Sequence, residues 1–237
     1  MPVDIIYILT VLLLAAWGSV RLRWITPAGA LAGLWVGIGA YLGGGGLALL
    51  LLGLFFLLGS LSTKWKKQLK EQIGVAQQQG GQRAVPNVLA NGLVPALLGW
   101  GAWWLEAPEP WVWPMLAAAV ASATSDTVSS ELGSLYGRQF WDVRTGRRGQ
   151  RGADGAISVE GTAYGALASG LIGVACGIWL DDWRLAGLVA LCGLLGNIAD
   201  SLLGAFLQRS GWLNNHTVNF WSTAVAAGLA YLLWGIP

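Results

Sequence analysis

Apolar stretches alternate with short polar ones along almost the whole chain. Eight stand out, at residues 3–20, 25–42, 44–62, 86–105, 111–132, 157–180, 183–207 and 218–235. Each approaches the roughly 20 residues that a helix needs to cross a bilayer core. The pattern predicts an all-α fold, a polytopic transmembrane helical bundle of about eight spans, as a single integral-membrane domain over residues 1–237. The glycine-rich stretch 43–46 blurs the boundary between the second and third spans.

Composition excludes a soluble protein. Of 237 residues, 55% are hydrophobic and only 11% charged, whereas a soluble domain carries about a quarter charged residues. The 35 glycines and 15 tryptophans fit a membrane chain, in which Gly is tolerated within helices and Trp favours the interfaces.

Charge then orients the spans. Arg21 and Arg23 fall between spans one and two, and Lys64, Lys66, Lys67, Lys70 and Arg83 between three and four. Arg138, Arg144, Arg147, Arg148 and Arg151 fall between five and six, and Arg209 follows seven. Thirteen of the fourteen basic residues thus share one side, with Arg184 alone opposite beside Glu106, Glu109, Asp181 and Asp182. Basic loops stay in the cytoplasm, so both termini are expected on the non-cytoplasmic side.

The net charge of +2 does not imply a nucleic-acid partner, because topology, lipid headgroups or phosphate ligands explain the basic loops. The first apolar run does not read as a signal peptide, since its positive residues follow it. Cys176 and Cys192 lie inside spans without metal-ligand spacing and read as apolar packers. Two long loops stand out on the basic side. Segment 63–85 is expected to begin as a helix and break at Gln79-Gly80-Gly81-Gln82, and segment 137–156 to be irregular.

The candidate chemistry lies at the basic ends of the spans, where ionisable residues are costly and usually functional or paired. In span five, Ser122, Asp126, Ser129, Ser130 and Gly133 form a polar stripe at helical spacing. Glu131 points away from that stripe, and either reaches the site from the helix end or pairs with a loop arginine. In span seven, Asn197, Asp200, Ser201, Gly204 and Gln208 share one face. Asn215, Asn219 and Ser222 open span eight, Asn87 and Asn91 belong to span four, and Ser60, Thr63, Lys64 and Lys67 end span three. A single Ser or Thr here is ordinary interhelical glue, and His216 reads as a helix-entry residue. Two buried acids are different: placed together they need a proton or a cation between them. Carboxylates with Asn and Ser oxygens suit Mg²⁺, which also takes water and substrate phosphates. The arginines and glycines of 137–156, leading into Ser158, Glu160, Gly161 and Thr162, suit phosphate oxygens. Together these groups imply a lipid-linked phosphate reaction.

Several segments carry a family resemblance: Gly-Ser-Leu-Ser-Thr-Lys-Trp-Lys-Lys-Gln-Leu-Lys-Glu (59–71), Ser-Asp-Thr-Val-Ser-Ser-Glu-Leu-Gly (125–133), Ser-Val-Glu-Gly-Thr (158–162), Gly-Asn-Ile-Ala-Asp-Ser-Leu-Leu-Gly-Ala (196–205) and Leu-Asn-Asn…Val-Asn-Phe (213–220). They resemble the integral-membrane phytyl-phosphate kinase family of plants and cyanobacteria, which includes the animal transmembrane protein 19. More loosely they are similar to CTP-dependent prenol kinases and phosphatidate cytidylyltransferases, although the lysines that precede Glu-Gly in the latter are absent.

The resemblance implies a phosphotransferase that takes a phosphoryl group from a nucleoside triphosphate, CTP being one candidate, to an isoprenoid monophosphate, with Mg²⁺ as cofactor. It also implies a bacterial inner membrane or plastid-type membrane. On that reading Asp126 and Asp200, with Glu131, hold metal. Lys64, Lys67, Arg147, Arg148, Arg151, Ser129, Ser130, Glu160, Thr162, Asn197, Ser201, Asn215 and Asn219 hold nucleotide or phosphate. A prenol kinase or cytidylyltransferase remains the enzymatic alternative, and a transporter of cations or lipid phosphates the alternative of another class. A transporter would usually bind near the bilayer midplane rather than at one end.

Overall fold

The computed structural model describes residues 2–75, 81–106 and 112–235, with side chains from residue 6 onward. Glu109, Trp111 and the Gln79-Gly80 half of the expected break lie outside the described residues. The long helices are α1 (Pro2–Arg21), α2 (Pro27–Lys64), α4 (Val85–Trp104), α5 (Val112–Tyr136), α6 (Val159–Leu180), α7 (Trp183–Leu203) and α8 (Asn215–Trp234). A short α3 (Lys67–Gln72) follows α2. Three helical stretches, Pro27–Lys64, Val159–Leu180 and Trp183–Gln208, are long and apolar enough to cross a membrane by length and composition alone.

As one straight rod, the 38 residues of α2 would extend about 57 Å. They do not. Gly45 adopts φ 57° and ψ −148° inside the helix, a backbone state in which a side chain is strained, and the chain doubles back there. Both ends of α2 consequently meet Arg83. Its carbonyl accepts a hydrogen bond from Thr26 N at 3.0 Å, while its guanidinium stands 4.5 Å from the Phe55 ring centroid. Lys64 Nζ likewise donates to Leu22 O at 3.0 Å. The glycine-rich stretch is thus a reversal between two antiparallel rods.

Local signals account for the other boundaries. Thr26 caps α2 through Gly29 N, with Pro27 in its first turn. Ser158 caps α6, Asp182 caps α7 and Asn214 forms a capping box with Thr217 at α8. Two expectations are corrected. The helix in the 63–85 loop ends at Gln72, where Gly74 takes φ +74°, well before the Gln-Gly-Gly-Gln break. Segment 137–156 also contains a small antiparallel ladder, β1 (Trp141–Asp142) against β2 (Ala156–Ile157), with Trp141 opposite Ile157.

Helix α5 occupies the centre and packs against α2, α4, α6, α7 and α8. Seventeen of its residues are buried, among them Ala117, Ala118, Ala119, Ala121, Ser122, Ala123 and Ser125. With so many neighbours, small side chains predominate on it, and close backbone approach adds to side-chain packing as a source of cohesion. Leu47, Leu51, Leu116, Val120, Ile172 and Val189 fill the space around its lower half. Cys176 and Cys192 are buried free thiols that pack as apolar residues.

The turn 22–26, the segments around α3 and the loop 137–157 gather at one end of the bundle with Arg209. They are joined there by Lys64–Leu22, Trp65–Tyr136, Lys70–Glu131 and Arg209–Asp142 contacts. The reversal at Gly45 lies at the other end beside Trp113, as does Arg184, 5.7 Å from the Trp234 ring.

The closest helix crossing in this half joins α2 and α4. A Cβ on Gly99 would run into the Gly39 carbonyl and lie 2.9 Å from Ala40 Cα, whereas one on Gly101 would meet nothing within 4 Å. Gly99→Ala should therefore destabilise the detergent-solubilised protein by about 1–3 kcal/mol. Gly101→Ala should leave its thermal midpoint unchanged or raise it, and paired melting curves check both.

Candidate functional site

Where α5 and α7 approach the basic end, the Asp126 and Asp200 carboxyl groups are in hydrogen-bonding contact. Two carboxylates cannot meet in this way unless a proton or a cation lies between them. Ser222 of α8 neighbours Asp200, with its hydroxyl donating to Asn219 O at 2.9 Å. Among the described residues, Asp200 Oδ2 is buried without a hydrogen-bond partner. Beside the pair, Asn197 Nδ2 donates to Ser125 Oγ at 3.1 Å, fastening α7 to α5, and Ser201 Oγ donates to Asn197 O at 3.3 Å. Asn219 Nδ2 donates to Asn91 Oδ1 at 3.4 Å, linking α8 to α4.

The donor set fits a hard divalent cation. Two carboxylates, one with an unpaired buried oxygen, are surrounded by Asn and Ser oxygens. Among the described residues no three His, Cys, Asp or Glu side chains form a complete cage. Mg²⁺ commonly uses such an incomplete protein shell, completed by water and phosphate.

Glu131 is not turned onto this pair. Its Oε2 accepts from Lys70 Nζ at 2.5 Å, both side chains being almost fully buried at 3% and 1% exposure. Lys70 also donates to Ser62 O at 2.6 Å. Glu131 thus belongs to a buried ion pair that ties α3 and the end of α2 to α5, the paired role rather than the metal role.

Beyond Ser201 the helix loosens into one π turn, Gly204–Gln208, in which Arg209 N donates to Gly204 O at 3.2 Å. Such turns recur at functional sites. The altered pitch means that α-helical spacing alone does not fix where Gln208 points relative to Asn197, Asp200 and Ser201. The 137–157 loop seats against this turn. Gly155, at φ +71°, backs onto Ala205, where a Cβ would lie 2.8 Å from the Ala205 Cα. Arg209 clamps the loop through Asp142 Oδ2 at 2.5 Å and through the Asp154 carbonyl. Asp142 also accepts from Arg144 N at 2.9 Å, and Arg209 beside it holds its carboxyl below the usual carboxylate range.

The other expected phosphate ligands are dispersed. Arg151 caps the end of α5, donating to Ser134 O at 2.8 Å and to Gly137 O at 3.1 Å. Lys64 is engaged at the 22–26 turn, and Lys67 pairs with Glu71 at 3.7 Å. Arg147 and Arg148 are exposed, the latter 6.0 Å from the Trp141 ring. Glu160 faces Arg138 at 3.9 Å in the first turn of α6. Thr162 lines an apolar cavity of about 430 Å³ with Trp141, Ile157, Val159 and Ala166. Ser129 is half-buried, Ser130 bonds back to Thr127 O at 3.1 Å, and Asn215 is exposed at the start of α8. Sequence spacing left Arg209 and Arg83 among the loop charges and did not single out Asp142. Their partners lie far away in the chain, and no local pattern marks them.

Comparison with known proteins places the chain. The sequence pattern described as "Integral membrane protein DUF92" matches residues 9–227. The chain belongs to this family. It is 35% identical over 188 residues to "Uncharacterized membrane protein MJ0933" of Methanocaldococcus jannaschii, covering 78% of this chain and 76% of that one. It is 34% identical over 182 residues to "Uncharacterized membrane protein sll0875" of Synechocystis, covering 74% and 69%. It is also 33% identical over 196 residues to "Protein VTE6, chloroplastic" of Arabidopsis thaliana, covering 80% of this chain and 59% of that protein. No solved structure matches.

The Lys70–Glu131 pair has a measurable signature. Lys70→Met leaves a buried carboxylate without its cation and should cost about 3–5 kcal/mol. The double variant Lys70→Met/Glu131→Leu should recover most of that stability in thermal denaturation.

Proposed function

We propose that the protein is a membrane phosphotransferase that converts an isoprenoid monophosphate to the diphosphate at the expense of a nucleoside triphosphate, with CTP one candidate donor. The observation that carries this reading is the contact between Asp126 and Asp200 at the basic end of the bundle, within two segments that resemble the phytyl-phosphate kinase family. Relatedness to the chloroplastic protein VTE6 supports it.

Asp126 and Asp200 would hold Mg²⁺, with Asn197 and Ser201 orienting nearby oxygens. When bound, the ion would neutralise charge on the nucleotide phosphates. Arg147 and Arg148 carry free charge for phosphate oxygens, whereas Lys64 and Arg151 already donate to main-chain carbonyls. Glu160 and Thr162 of α6 and Asn215 and Asn219 of α8 complete the polar rim. An oxygen of the acceptor monophosphate attacks the γ-phosphorus. A new P–O bond forms, the bond to the β–γ bridging oxygen breaks, and nucleoside diphosphate leaves. The acceptor is already anionic, so the protein needs to position and neutralise rather than abstract a proton.

The same reading has eight spans, the two halves of α2 counting separately, with both termini outside and the site facing the cytoplasm of a bacterial inner membrane or a plastid-type membrane. Thirteen of the fourteen basic residues then face inward.

Purified protein incubated with prenyl monophosphates and each nucleotide should yield the prenyl diphosphate and a nucleoside diphosphate by mass spectrometry. Release of pyrophosphate instead would mean nucleotidyl transfer. Asp126→Asn and Asp200→Asn should each lower turnover by about 100-fold or more, and the double variant little further, because ligands of one site act as a unit. Full activity in either single variant would end the shared-metal assignment.

Sidedness has its own test. Thr145→Cys, in a background with Cys176 and Cys192 replaced by Ala, should resist an impermeant thiol reagent in intact cells and react after permeabilisation.

A further inference from the structure

We propose that Arg83 is a phosphate-binding residue of this site, reaching it from the helical side of the bundle rather than from the arginine-rich loop. The inference rests on the reading of the site as one that handles phosphate, and assigns a cation that neither the motifs nor the loop arginines identify.

Arg83 is held by its backbone. Its N–H donates to Trp24 O and its carbonyl accepts from Thr26 N, both at 3.0 Å, so the residue is stitched to the turn between α1 and α2. Its side chain then enters the bundle instead of pointing to solvent. The guanidinium carbon lies 4.5 Å from the Phe55 ring centroid and 5.5 Å from that of Phe56. Gly59, one turn further along α2, leaves the space. A Cβ there would collide with Arg83 Nη2 and approach both Arg83 Cζ and Thr127 Cγ2 to 3.2 Å. Arg83 therefore lies against α5 at the residue that follows Asp126.

Among the described residues, the guanidinium donates no hydrogen bond. Burial pulls its pKa down to about 10, with Glu131 acting against that, and it stays charged at neutral pH. Five N–H donors in a fixed fork stand half-buried against two aromatic rings, with no hydrogen-bond acceptor among the described residues. Glu131 makes no hydrogen bond to it: Oε2 is taken by Lys70 at 2.5 Å, and Oε1 is buried without a partner. Two aromatic faces attract the cation but accept none of its planar donors in the ring plane. A phosphate supplies both the negative charge and the paired oxygens that this fork fits. The phosphate belongs either to the nucleotide or to the prenyl acceptor, and both present the same chemistry to Arg83.

Inorganic pyrophosphate is the probe. In wild-type protein in detergent, pyrophosphate with Mg²⁺ should slow phenylglyoxal modification of the Arg83 peptide, read by mass spectrometry. Arg83→Gln should weaken pyrophosphate binding by about tenfold or more, the loss expected for charge-assisted hydrogen bonds. Gly59→Ala should weaken it too, by displacing the guanidinium, while Gly53→Ala in the same rod, whose Cβ would meet nothing within 4 Å, should not. In turnover assays with Arg83→Lys, a raised KM for nucleotide assigns the phosphate to the donor, and a raised KM for prenyl monophosphate assigns it to the acceptor.

Unprotected Arg83 at saturating pyrophosphate, or wild-type affinity in both Arg83→Gln and Gly59→Ala, overturns the inference even if the protein proves to be the proposed kinase. Conversely, Arg83-dependent pyrophosphate binding in a protein that phosphorylates no prenyl phosphate sustains the anion site and removes the kinase reading.

Discussion

A helix with five neighbours favours small side chains along most of its length, and that constraint on α5 organises the rest of the protein. In lipid the helices gain nothing by hiding apolar surface from one another, so cohesion depends on how closely backbones approach. The Ala and Ser run of α5 lets α2, α4, α6, α7 and α8 close around it. The same closeness brings the one acid in the middle of that run, Asp126, against Asp200 of α7. A larger residue at Ser122 or Ser125 would part α5 from α7, and the carboxyl contact would be lost with it.

The charges at this end fall into two groups. One is engaged within the protein, although Glu131 Oε1 is left without a partner among the described residues. Lys70 neutralises Glu131, Arg151 closes the end of α5, and Arg209 fastens the 137–157 loop to the π turn. These contacts tie the loops to the helix ends at this end of the bundle. The other group is unsatisfied among the described residues: the Asp126–Asp200 pair, with a buried oxygen lacking a partner, and the Arg83 guanidinium between two aromatic rings. Buried polar groups without partners are costly. Opposite charges left open side by side are what a metal-bound phosphate would require.

The division explains why the arginine-rich loop is less decisive than its composition implies. Charge-rich segments are visible in any sequence, but an arginine already donating to carbonyls has little left for a ligand. Arg83, a single residue just before α4, donates no side-chain hydrogen bond among the described residues.

The chain's own pattern determined the helical character, the positions of most helices, the reversal near Gly45, the clustering of positive charge at one end, and the polar stripes of α5 and α7. All of these are local properties: apolar length, helical spacing, a glycine able to take positive φ, a capping side chain. Tertiary structure alone decided the partners. Glu131 is separated from Lys70 by 61 residues and Arg209 from Asp142 by 67. Helical spacing states which way Glu131 points on α5 but not which element meets it there. The π turn is equally invisible to α-helical spacing, and it changes the pitch of the helix just beyond Asp200 and Ser201. Periodicity specifies the faces of each helix. Which faces meet, and which charges remain unpaired afterwards, depends on the packing of all the helices at once.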